Sequence, residues 1–214
     1  MTSRLLSVLT ASISLALFCS ATQAQESAEV PAISARSQTQ PTASREANSA
    51  VIVRDAAKPA RSHVVATSAL GGLEVYDLSG KRIGTTPSGE VAAVDVAYGV
   101  PFGDATATVL ASIDTTTNSM RLFTMEGAKL TDAGARPLPL GFAAEGVCLF
   151  RNPLDSALYA FIVGDGGEVD QKILFATTDG KLDARPVRRI SVPSPLKQCV
   201  ADAQGQVYAS EEAV

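Results

Sequence analysis

A strand-and-turn pattern recurs three times in this chain, and it constrains the fold more than any other feature. Gly72–Arg82 reads GLEVYDLSGKR, Arg121–Lys129 reads RLFTMEGAK and Ile173–Lys181 reads ILFATTDGK. Each is an alternating apolar run with an aromatic residue, followed by a short polar stretch, a glycine, and a lysine close behind. The marker glycines Gly80, Gly127 and Gly180 are 47 and 53 residues apart. Three occurrences in order, at nearly equal spacing, define an internal repeat.

Between the markers lie further short runs of β-branched and apolar residues: HVVATS, VAAVDVAY, TVLASI, GVCLFR, LYAFIVG, VRRISV and QVYAS. Glycine and proline turns separate them, and no segment carries a helical stripe of 12 residues. Period-2 runs with regular turn signals predict an all-β fold. A period of about 50 residues with three to four strands per unit is the signature of a β-propeller blade, stacked because one sheet cannot cover its own apolar faces. Three blades are filled, and a fourth has only begun at QVYASEEAV. A propeller closes with roughly 4 to 8 blades. The sequence therefore reads as the front part of a longer product, with an unusual open solenoid as the alternative.

The N-terminal stretch is of another kind. Met1–Ala24 carries one charge, Arg4, then the apolar run Leu5–Cys19 and a small-x-small site at Thr22-Gln23-Ala24. This is the layout of a secretory signal peptide, and the run is too short to span a bilayer. A lipid anchor at Cys19 is disfavoured, because Phe18 stands where a small neighbour is needed. Residues 25–49 are rich in Ser, Ala, Thr, Gln and Pro, lack aromatics and show no period, which predicts a flexible leader. The folded domain is expected over residues 50–214, in the periplasm or outside the cell.

The net charge is −4, with no basic stripe to suit nucleic acid and no further run of membrane-spanning length. Tryptophan is absent and His63 is the single histidine, so a histidine-based triad or zinc site has almost nothing to draw on. His63 opens HVVAT and reads as a strand-edge residue. Cys148 and Cys199 remain after signal removal, 51 residues apart, about one repeat length. In an oxidising compartment an even pair favours a disulfide between neighbouring units. Two buried thiols are the alternative.

The stretch GLEVYDLSGKRIGTTPSGEVAAVDVAYGVPF resembles the first complete blade of the calcium-dependent β-propeller phytases, which remove phosphates from inositol hexakisphosphate. The shared features are a GL-x-VY-x-L-x-GK strand and turn, a VD that includes Asp95, and a Tyr-x-x-Pro loop. EGVCLFRNPLDSALYAFIVGDGGEVDQ and CVADAQGQVYASEE are similar to later segments of the family. The resemblance implies about three and a half blades of a six-bladed fold. It also implies a site in which carboxylates hold calcium and Lys and Arg grip phosphate. Calcium takes 6 to 8 oxygen ligands, and metal-activated water with surrounding cations suits attack at phosphorus.

Position by position, the match is one-sided. Ala69 and Leu70 stand where the family has two lysines, and Ile113 and Asp114 where it has an Asn-Arg pair. Glu145 replaces a tyrosine, Asp165 and Gly166 replace a Lys-Glu pair, and Lys197 replaces a glutamate. The acidic opening segment is replaced by residues 48–53. Glu212 keeps a carboxylate suited to calcium, and Asp95 matches as either a weaker ligand or a framework residue. Gripping cations are lost while Asp114, Glu145 and Asp165 add negative charge, which opposes a polyanion. The family includes tandem members with a degenerate, incomplete front propeller, which this pattern resembles.

Gly164-Asp165-Gly166-Gly167-Glu168 has glycines enough for a phosphate loop, but a strand-like run follows it rather than a helix. It reads as a plain turn. Two functions follow from the resemblance: calcium-dependent phytate hydrolysis, with this segment lacking a complete site, or a non-catalytic module assisting a downstream catalytic propeller.

Overall fold

The computed structural model describes residues 32–35 and 37–211. The chain divides into two units, residues 1–35 and 36–214, and the strands all belong to the second. The expected signal peptide and Glu212 lie outside the described residues.

Regular structure among the described residues is β-strand throughout, apart from one 3-10 turn at Pro59–Arg61. The first sheet contains β1 (Ala50–Val53), β2 (His63–Ser68), β3 (Gly72–Asp77) and β4 (Arg82–Thr86), side by side in that order. The second holds β5 (Val91–Phe102), β6 (Ala105–Asp114), β7 (Ser119–Glu126) and β8 (Lys129–Asp132), and the two-residue β9 (Leu138–Pro139) pairs with β7. The third holds β10 (Ala144–Arg151), β11 (Leu158–Gly164), β12 (Glu168–Ala176) and β13 (Leu182–Ser191). The fourth consists of β14 (Leu196–Ala201) and β15 (Val207–Glu211). All neighbouring strands run antiparallel. The fold is all-β and β-propeller-like, built as successive blades.

The repeat has a local cause. Gly80, Gly127 and Gly180 all have positive φ, at 86°, 56° and 73°, in the turn between the third and fourth strands of the first three sheets. A side chain is strained in that backbone conformation, so the turn selects glycine.

Alternation along the strands then builds the core. In β6, Val109, Ala111 and Ile113 face one way and pack with Leu122, Ile162, Leu174 and Leu182, joining the second and third sheets. Leu110 faces the other way and packs with Leu73, Val75 and Phe123, joining the first and second. Burying a side chain of this size contributes about 1.5–3 kcal/mol. The leading strands of successive sheets are also linked directly. Ser49 bonds both backbone groups of Val94 through its Oγ, and the Asp95 carboxylate accepts from Leu149 N–H at 2.7 Å. Cys148 on β10 and Cys199 on β14 form a disulfide with Cα atoms 5.6 Å apart.

Residues 38–49, read from sequence as part of a flexible leader, are tied to the first sheet. Gln40 N–H donates to Gly80 O, Arg82 N–H donates to Gln40 Oε1, and Ala43 N–H donates to the Glu74 carboxylate at 2.8 Å. Ser44 and Ser68 hydroxyls meet at 2.9 Å, Ala69 N–H reaches Glu46 O, and Asn48 and Ser49 N–H both reach Thr67 Oγ1. The strap comes so close to the marker turn that a Cβ on Gly80 would meet Gln38 O at 2.3 Å. Backbone donors and side-chain acceptors hold this stretch, so it carries no apolar period.

Candidate functional site: one rim of the sheets

Antiparallel register brings the family-matched positions to one end of the sheets. The leading strands begin there, where Val91 faces Asp114, Ala144 faces Gly164 and Leu196 faces Glu211. Ala69 and Leu70 form the β2–β3 turn at the same end, bracketed by the Ser68–Gly72 pair. Asp165 and Gly166 lie in the β11–β12 turn. Seven positions scattered from 69 to 197 thus share one rim.

The chemistry of that rim is local and already satisfied. Leu70 is 76 % exposed, an apolar side chain in a polar setting. Asp114 is 4 % exposed and accepts from Thr117 N–H at 3.2 Å and from Thr117 Oγ1 at 2.9 Å. Having donated its hydroxyl proton to Asp114, Thr117 accepts from Ser119 Oγ at 2.7 Å. The carboxylate therefore shapes its own turn. Glu145 and Lys197 form an ion pair at 3.5 Å across β10 and β14. A Cβ at Gly166 would sit 2.6 Å from Glu168 Oε1, the end of a flexible side chain that a larger residue would displace.

Near the rim on β12 and β13, Arg189 gives Nε and Nη2 to the two oxygens of Asp170 at 2.5 and 3.0 Å and lies over the Phe142 ring. Lys172 adds a contact of 3.5 Å to the same carboxylate. The Arg189 hydrogen bond, with Lys172 beside it, holds the Asp170 carboxyl below the usual range despite burial. A bidentate fork of this kind would suit phosphate, but here a carboxylate occupies it.

Asp95 lies away from the rim, at the seam of β5 and β10. One oxygen accepts from Leu149 N–H and the other from Val96 N–H at 2.8 Å. Burial pushes its carboxyl up, against the pull of those two donors. One oxygen joins β10 to β5 and the other is taken up by the neighbouring backbone of β5 itself. Among the described residues no three His, Cys, Asp or Glu side chains stand close enough to hold a metal ion. Asp114, Glu145 and Asp95 each serve a protein partner instead, so the described donor set does not fit calcium.

The buried acid of the first sheet escaped the sequence reading. Glu74 is 1 % exposed and accepts from Ala43 N–H, from Tyr76 OH at 2.6 Å and from Arg82 Nη1 at 3.0 Å. Burial raises its pKa, and the hydrogen bonds from Tyr76, Ala43 and Arg82 together outweigh that and leave it below the ordinary value. Tyr76 is pushed up to about 12 by burial and by Glu74. The available signal was a glutamate alternating with Leu73, Val75 and Tyr76 in a strand otherwise apolar.

A rim that gathers the starts of successive antiparallel sheets is the architecture of a β-propeller-like module. The family described as Phytase matches residues 2–214, and the chain belongs to that family. A protein from Bacillus subtilis (strain 168) described as 3-phytase is 26% identical over 191 residues, covering 84% of this chain and 50% of the relative. The chain spans about half the length of that curated relative.

Proposed function

We propose that this chain is a phytase-family module that does not hydrolyse phytate by itself and supports a phytase activity completed by further sequence. One observation carries the reading: the cations nearest the rim are already answered by carboxylates, Lys197 by Glu145 and Arg189 by Asp170. Phosphoryl transfer needs cations aimed at the charge that develops on phosphate, each worth about 3 kcal/mol in the transition state by analogy with oxyanion donors. Ala69, Leu70 and Asp114 supply none. The family relationship and the 3-phytase relative support phosphate monoesters of inositol hexakisphosphate as the substrate class. Calcium rests on the resemblance alone, and no step is assigned to it here.

The test is phosphate release from phytate with calcium present. The natural chain is compared with a variant carrying Ala69→Lys, Leu70→Lys, Asp114→Arg, Glu145→Tyr and Lys197→Glu. Glu145 changes together with Lys197, because Lys197→Glu alone would set two carboxylates against each other. No release by the natural chain is the expected result. Turnover at a rate typical of enzymes, about 1–1000 per second, would overturn the reading. The second reading, hydrolysis by a longer chain that contains this one, is favoured by the half-length coverage of the relative.

A further inference from the structure

At the end of the sheets opposite the rim, a cavity of about 190 Å³ is lined by Arg54, Asp55, Arg61, His63, Thr108 and Gly127, among others. It opens where β1 ends, β2 begins and β7 turns, since Val53 pairs with His63 and Thr108 with Met125. Two arginines, a histidine and a threonine thus share the lining of one cavity with a single acid, Asp55, in a chain of net charge −4.

The carboxylate at the cavity has another task. Asp55 Oδ1 accepts from Ala57 N–H at 3.0 Å and from Lys58 N–H at 2.8 Å, closing its own turn. Asp55 N–H donates to Ser62 Oγ at 3.1 Å, and Arg54 N–H donates to Tyr98 OH at 2.9 Å, which in turn donates to Ile52 O. These bonds fix the backbone of the loop that carries both arginines. Among the described residues no ion pair involves Arg54, Arg61 or His63.

A second cavity provides the contrast. Arg121, Arg136 and Lys181 line it with Asp132, yet Arg121 is paired to Asp132 and Arg136 to Asp183. Both of its guanidinium groups are thereby committed to carboxylates. At the Arg54 cavity neither arginine is drawn into an ion pair among the described residues, and two guanidinium charges outnumber the one carboxylate, a balance that favours an anion.

We propose that this cavity is a binding site for a phosphate-type oxyanion, free or as a monoester. Arg54 and Arg61 supply the charge, and His63 and Thr108 supply further polar contacts. The site does not depend on the reading of the rim, and it requires no metal and no turnover.

The experiment is a titration of the full chain with inorganic phosphate, read by amide chemical shifts and by calorimetry. Saturable shifts at Arg54, Thr108 and Gly127 are expected. Arg54→Gln and Arg61→Gln should each weaken binding about fivefold, the size of a strong exposed charge pair. Both side chains are exposed, and an unchanged melting temperature verifies that the variants fold. A parallel titration with glycerol phosphate identifies the source: tighter binding of the ester assigns a monoester site, and tighter binding of inorganic phosphate assigns a free-phosphate site. No saturable binding, shifts confined to the rim, or full affinity in both variants would overturn the proposal.

Discussion

The first and fourth sheets solve the same problem by opposite means. The outward side of the first sheet carries a buried acid, Glu74, and is covered by residues 38–48, whose N–H groups and side chains satisfy it. The fourth sheet has two strands and leaves Val200 60 % and Tyr208 55 % exposed, and a disulfide ties it to the third. A four-stranded sheet buries enough apolar area on its inner side to spend its other side on polar contacts. A two-stranded sheet does not, since isolated hairpins are marginal in water. The disulfide fixes its leading strand to β10. Between these extremes lies the seam of β5 and β10, where a carboxylate bonded to backbone serves the same purpose as the disulfide.

Breaking the covalent link should have the largest effect. Replacing Cys148 and Cys199 together by serine removes a cross-link across 51 residues, worth about 4 kcal/mol in the chain-entropy model. The melting temperature should fall by about 10 °C. Free-thiol labelling of the unreduced natural protein should find neither cysteine reactive. An unchanged melting curve would mean that the fourth sheet packs well enough without the bridge.

Next in size is Glu74→Ala, which strands Arg82, Tyr76 OH and Ala43 N–H at once and should cost about 3 kcal/mol. Hydrogen exchange should speed up at Gln40 and Ala43, where the strap is held. The pH dependence has a defined sign. Because the folded pKa of Glu74 is depressed, its contribution is present above the ordinary carboxyl pKa and is lost as pH falls through the depressed value. The Glu74→Gln variant should lack that acid limb. If exchange at the strap is untouched, the polar cover does not depend on Glu74.

Asp95→Asn tests the seam between the two extremes and should change stability by about 1 kcal/mol or less, because one lost acceptor is offset by removing a buried charge. Here the sign reverses. The folded pKa of Asp95 is raised, so folding takes up a proton, and stability falls as pH rises through that raised value. Melting temperatures of the variant and the natural chain should converge in acid and separate above it.

The smallest effect is expected from Val200→Thr and Tyr208→Thr on the open face of the fourth sheet. Each should shift stability by no more than about 0.5 kcal/mol, as for other surface changes. Sedimentation at high concentration should show less self-association than in the natural chain. A large loss of stability would place these side chains in a packed interface.

Much of the fold was legible because period-2 alternation and turn glycines act locally. The runs around Leu73–Tyr76, Leu110–Ile113 and Leu122–Phe123 announce strands, and Gly80, Gly127 and Gly180 announce the turns that demand positive φ. The strap was not legible, since Gln40, Ala43 and Ser44 bond to groups some 24 to 42 residues away and leave no period of their own. The site residues were nameable one by one from the resemblance, from Ala69 to Lys197. Their pairing was not, because Glu145 and Lys197 meet only where β10 packs beside β14.

By itself the sequence determined strand, turn and repeat, which depend on steric preferences and alternation within a few residues. Tertiary structure alone decided which carboxylates are spent. Asp95, Asp114, Glu74 and Asp170 look alike as letters, yet one joins two strands, one shapes a turn, one anchors the strap and one fills an arginine fork. The reason is physical: a carboxylate takes its role from the donors within about 3 Å of it, and sheet stacking, not chain order, brings those donors there.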